Sequence, residues 1–199
     1  MDDGAAQSSE LLGALVGSVA LGGCGLLGGN SYRFRMTVAV DTPQGVRTDS
    51  SVFEVAAARI GNILPEGAKR DWQVTGETVA VDLPGGATLF ALLKTHAHFE
   101  DMMGLSMASL HSDFPGTGYD VVGVATELAR GEHPGPAQVA PENYPTLVTF
   151  ADEADPASVT LVEPGALAAH FGPGTARRGI TVELTDEAVT RGLRNGWGG

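Results

Sequence analysis

The densest grouping of chemistry-bearing side chains is His96-Ala97-His98, followed at once by Glu100 and Asp101. Imidazole nitrogens and carboxylate oxygens are donors that divalent metals such as zinc accept. Two residues apart on a strand, His96 and His98 would share a face, whereas on a helix they diverge. A catalytic zinc takes three protein ligands, and nothing in the spacing brings His111 or His133 to the pair. From Thr95 to His170 the chain holds 11 carboxylates against one cation, Arg130, and all five histidines fall in this window. Such a surface attracts cations. One reading is therefore a small metal-dependent hydrolase using segment 96–133. The competing reading is a set of solvated histidines near a helix start, and on balance no metal or other cofactor is expected.

Other catalytic patterns are weaker. The nearest approach to a G-x-S-x-G elbow, Gly104-Leu105-Ser106-Met107-Ala108, sits inside an apolar helical pattern, where a serine packs and is not activated. Glu100/Asp101 and Asp186/Glu187 are adjacent, which points their carboxylates apart and suits turns or helix caps. Gly116-Thr117-Gly118 and Gly172-Pro173-Gly174 lack the strand–GxxxxGK–helix order of a phosphate loop. Met102, Met103 and Met107 could line an adaptable groove or a copper site, but thioethers more often fill irregular core gaps. No catalytic residue is assigned. Twelve Lys and Arg against 24 Asp and Glu, a formal charge of −12, exclude a nucleic-acid partner, which needs clustered cations.

Cys24 is the only thiol, so an intramolecular disulfide framework and multi-thiolate metal sites are excluded. It stands near the end of an apolar run, Leu11 to Leu27, that precedes the first cation of the chain, Arg33. Leu21-Gly22-Gly23-Cys24 resembles the lipobox of bacterial lipoproteins. That resemblance implies cleavage before Cys24 and a lipid on its thiol, with Leu11 to Leu21 as the apolar core of a signal peptide. Gly22 is permitted but not favoured at its position, and Asp2, Asp3 and Glu10 replace the usual cationic leader. A membrane-spanning anchor is the next reading, although 17 residues with five glycines is at the lower limit for a span. A buried core helix is the third. Gly25, where family members held in the inner membrane tend to carry Asp, implies an outer-membrane protein facing the periplasm. The alternative location is cytoplasmic.

The elements behind these residues read as an α+β fold, a β-dominant antiparallel meander with two to four short helices in one compact domain. Residues 1–23 form the signal peptide, 24–31 a flexible tether, 32–194 the domain and 195–199 a frayed tail. Tyr32, Phe34, Met36, Val38 and Val40 alternate with polar or small residues, a half-buried strand. Thr42-Pro43-Gln44-Gly45 has a type I turn signature and returns the chain along Val46 to Ala56. Gly76-Glu77 suits a type II′ turn joining a strand from Trp72 to one over Thr78 to Leu83. Pro84-Gly85-Gly86 leads into a strand from Thr88 to Leu93. Helices are expected from Asp101 as N-cap through Leu110, from Tyr119 to Arg130, and from Pro164 to Phe171.

Four prolines in 132–145 mark an extended connector and the most plausible internal boundary. Strands follow at Leu147 to Phe150, Val159 to Val162 and Ile180 to Leu184, with Asp186 capping a terminal helical turn. Arg33 and Arg35, with Arg47 opposite, make a basic patch on the first strand that either guards a sheet edge or meets anionic headgroups. Arg177 and Arg178 read as surface charge.

Several stretches, among them Tyr32-Arg33-Phe34-Arg35-Met36-Thr37-Val38, Val81 to Gly86, Tyr144 to Phe150 and Ile180 to Asp186, look like segments of hypothetical or putative lipoproteins from Alphaproteobacteria. That likeness implies a shared fold and carries no chemistry. The expected function is a cell-envelope lipoprotein that binds or scaffolds, with the membrane and an envelope protein as partners. A soluble accessory subunit of a larger assembly is the remaining alternative.

Overall fold

In the computed structural model the described residues are 30–58, 72–95, 102–112, 114, 120–131 and 135–192. The apolar run, Cys24, His96, His98, Glu100, Asp101 and His133 lie outside them. Strand β1 (Asn30–Thr42) follows the expected period of two, with Tyr32, Phe34, Met36, Val38 and Val40 all buried. It begins two residues earlier than read, so Asn30 and Ser31 belong to the sheet and not to the tether. Pro43 and Gln44 turn the chain into β2 (Gly45–Ala57), and Gly45 has φ of 106°, the left-handed value such a turn uses to close the pair. Thr42 holds the turn by donating to the Gly45 carbonyl at 2.6 Å and accepting from the Gln44 N–H at 3.2 Å.

Strand β3 (Trp72–Thr75) pairs with β2, whereas β4 (Val79–Asp82) pairs with β5 (Thr88–Thr95). Gly76-Glu77 is therefore no hairpin turn but the crossing between two sheets. Gly76 is required by space: a Cβ there would stand 2.3 Å from Cδ1 of the buried Phe53 ring. Helix α1 (Met102–Leu110) is apolar all round and buries Met102 through Met107, as a core helix must. Helix α2 (Val121–Arg130) is amphipathic and turns Val121, Val122, Ala125 and Leu128 inward. Gly131 ends it in extended backbone, at φ −67° and ψ 160°, and not in the left-handed cap glycine often adopts.

The proline-rich stretch does not divide the molecule. Its β6 (Ala137–Gln138) pairs with the last strand, and Val139 is buried with its N–H on Ile180 O at 2.9 Å. Strands β7 (Pro145–Phe150) and β8 (Val159–Leu161) pair with each other across a turn that carries Asp152, Glu153 and Asp155. Helix α3 (Leu167–Phe171) starts later than read, because Pro164 falls in a turn closed by Ala166 N–H on Glu163 O. Strand β9 (Ala176–Leu184) then inserts beside β1. The sheets run β3-β2-β1-β9-β6 and β4-β5-β7-β8, antiparallel throughout.

Both sheets and all three helices send side chains into one core. The fold is thus α+β, dominated by antiparallel strands, with three short α-helices among the described residues, in a single compact domain. Residues 185–192 contain no helical turn. They run as a strap from β9 over the outward face of β1 to β2, where Thr190 donates to Val52 O at 3.0 Å and its hydroxyl accepts from Val52 N–H at 2.8 Å.

Candidate functional site

Arg33 and Arg35 emerge from the outward face of β1, as their alternation with core residues requires. The expected edge-guarding role is overturned by the topology, since β1 lies between β2 and β9. Arg33 meets Glu54 directly across the β1–β2 pair, Nε to Oε2 at 2.9 Å. Arg35 meets Glu183 across the β1–β9 pair, Nη1 to Oε1 at 2.8 Å, and also pairs with Glu187 of the strap. Arg33 Nη1 donates to the carbonyls of Asp186 and Glu187 at 3.3 and 3.4 Å. Arg47 sits opposite Val40, toward the hairpin end of the sheet, and does not extend the patch. Within this cluster the two arginines hold the strap down.

The hydrogen bond from Arg35, then its charge, holds the Glu187 carboxyl below the usual glutamate range, and the same bond raises Arg35. A lowered folded-state pKa stabilises the docked strap above the ordinary carboxylate value. That contribution disappears as pH falls through the lowered one. Amide protection at Thr185, which donates to Arg33 O, and at Thr190 should hold from neutral pH and drop only on the acid side of the glutamate range. Glu187→Gln should lose part of that protection already at neutral pH. Hydrogen exchange followed by NMR reads both, and protection independent of pH and of this substitution would show that the backbone bonds alone hold the strap.

A cleft of about 210 Å³ opens between the start of β1, the end of α2 and the root of the strap. Tyr32, Arg33, Leu128 and Asp186 stand in its wall. The guanidinium there is engaged as described, and Tyr32 is tied inward, its hydroxyl 2.8 Å from Ser106 Oγ. Ser106 is fully buried and also donates to Met103 O at 3.0 Å, so it packs in the core and is not a nucleophile in this fold. The methionines of α1 are core residues with no exposed sulfur face. His111, just past α1, has Nε2 2.9 Å from Glu127 of α2, which pins the two helices together. His170 lies in α3 beside its neighbour Phe171. Thus the structure does not bring His111 and His170 together.

Arg177 differs from the surface charge read from sequence. Its guanidinium stacks 4.6 Å from the Tyr144 ring centroid and donates through Nη1 to the Tyr144 hydroxyl, with its Nε buried and without a partner. Arg178 is a surface charge, paired with Asp41 at 3.0 Å. Among the described residues no three His, Cys, Asp or Glu side chains converge as metal ligands, and no helix is long and apolar enough to cross a membrane.

The feature that sequence reading missed is the far side of the second sheet. Ala80, Phe90, Val148 and Leu161 follow one another across β4, β5, β7 and β8 in register, so they share a face. This face is turned away from the main core and carries its own cluster, with Leu92 and Phe150 packed on it and Phe90 edge-on to Phe150 at 5.4 Å. At its margin Val159 and Leu161 are each 48% exposed. The signal available in sequence was the near-continuous apolar run Thr88 to Leu93, which a strand buried on both faces shows. No family model, curated protein or solved structure matches this chain. Its chemistry therefore rests on its own residues.

Proposed function

We propose that this protein is a cell-envelope lipoprotein, anchored through Cys24, whose β-rich domain acts by binding or scaffolding. The observation that carries the reading is the lipobox-like Leu21-Gly22-Gly23-Cys24 at the end of an apolar run, followed within a few residues by the first strand at Asn30. Residues 25–29 can span at most about 18 Å when fully extended. An acylated Cys24 would hold the start of β1 and the cleft beside it close to the headgroups, and leave the rest of the domain to face outward. One acyl chain binds a membrane only marginally, whereas the several chains of a mature lipoprotein anchor it stably. The acidic surface suits such a position, since it is repelled by anionic headgroups and stays clear of the bilayer.

The test is the intact mass and membrane partition of the protein from a fractionated bacterial host, beside Cys24→Ala. The expected product begins at Cys24, carries lipid and sediments with membranes, and Cys24→Ala abolishes both processing and sedimentation. A wild-type product that is unprocessed and stays in the soluble fraction would overturn the proposal.

A further inference from the structure

The outer edge of β8 has the composition of a docking strand. Ala151 N–H on Ser158 O and Val162 N–H on Leu147 O fix which backbone groups of this strand face β7. In an antiparallel pair the inward-bonding residues alternate, so the N–H and C=O groups of Val159 and Leu161 point away from the sheet. Among the described residues no strand pairs with that side. Natural edges are usually blunted by Lys, Pro or a bulge. Here the two residues presenting their backbone carry Val and Leu side chains, nearly half exposed and continuous with the apolar row formed by Val148 and Phe90.

Charge selects the occupant. From Glu142 to His170 the chain has five carboxylates and no Lys or Arg. Asp152 and Asp155 are exposed just before β8, and Glu163 just after it. A second copy pairing antiparallel through β8 would bring Asp155 of one chain toward Glu163 of the other, like against like. A strand with basic ends meets the opposite sign at both ends. We infer that β8 accepts an extended segment of another protein, with apolar residues at alternate positions and Lys or Arg at its ends, as an added fifth strand of this sheet. Main-chain bonds to Val159 and Leu161 supply the register, the apolar row receives alternate side chains, and the flanking carboxylates take the cations. The inference deepens the binding reading above and does not depend on the lipid.

The test uses full-length Cys24→Ala protein, so that failure here leaves the anchor itself untouched. The probe is a fluorescent synthetic peptide of alternating valine and threonine between two pairs of lysines, titrated by anisotropy. Expected is saturable binding that weakens at least about tenfold when the amides on the pairing edge are N-methylated, and by a similar factor when the lysines become glutamates. Val159→Pro, at a residue whose φ of −59° already suits proline, removes one outward N–H and should weaken binding to the same degree in protein that circular dichroism shows to be folded. Leu161→Lys should do so through charge. Equal binding of the N-methylated peptide would reduce the effect to electrostatics and overturn the inference. Absence of binding to the parent protein, or binding that neither substitution changes, also overturns it. Self-association through β8 in sedimentation velocity would assign the edge to a second copy and refute the partner named here.

Discussion

Phe34→Ala should remove about 3–5 kcal/mol of stability, a large share of the roughly 5–15 kcal/mol that keeps a domain folded. Phe34 is fully buried at the centre of the first sheet and stands directly opposite Phe53 in the β1–β2 register. The two rings stack with centroids 5.2 Å apart and planes 18° apart, and Tyr32 leans on Phe34 from the same strand at 6.3 Å. Truncation removes a ring from water-free packing and leaves a cavity that the flanking strands cannot close. Their spacing is fixed, because β1 is hydrogen-bonded to β2 on one side and to β9 on the other. Such an aromatic pair contributes about 0.5–1.5 kcal/mol beyond its buried area. Urea unfolding should show a lowered midpoint with an unchanged slope. Val46→Ala, at an exposed position of β2, should stay within about 0.5 kcal/mol of the parent. Equal effects at the two positions would contradict the placement of Phe34 in the core.

Gly76→Ala should cost about 1–3 kcal/mol by overpacking the same ring pair from the other side. The new Cβ would meet Cδ1 of Phe53 at 2.3 Å and Cε1 and Cγ at 3.0 Å, so it presses on the ring itself and not on a movable chain end. Phe53 has nowhere to go, because Phe34 stacks on it. A double-mutant cycle with Phe53→Leu should show strong coupling, as the smaller side chain yields the space that alanine needs. Gly165→Ala, where nothing lies within 4 Å of the added carbon, is the matched control and should be near neutral. Additivity between Gly76→Ala and Phe53→Leu would mean that the crossing does not lie against Phe53.

Gly76 also shows where local reading stops. Its Gly-Glu dipeptide between two strand-forming runs has the signature of a tight hairpin, yet β3 and β4 join different sheets. A glycine chosen for close approach and a glycine chosen for a turn look alike until the ring it passes is known. The same holds for Arg33 and Arg35. Their alternation on β1 placed them outward correctly, but the carboxylates that neutralise them come from residues 21 and 148 positions away. Asp186 and Glu187, adjacent acids fit for a helix cap, instead lend their carbonyls to Arg33, and Glu187 its carboxylate to Arg35.

Where a property follows from neighbours along the chain, the residues alone were sufficient. Period two set the inward face of β1, Pro43 to Gly45 set the first hairpin, and apolar spacing set α1 and α2. Strand order is different, since β9 must cross most of the chain's length to pair with β1, and no local pattern encodes a partner that distant. The outward amides of β8 belong to this second kind: Val159 and Leu161 read as an ordinary strand until β7 takes one side and the other is left facing out. Long-range pairing decides which backbone groups a sheet consumes and which it presents, and that is why the candidate docking edge became visible only in the folded chain.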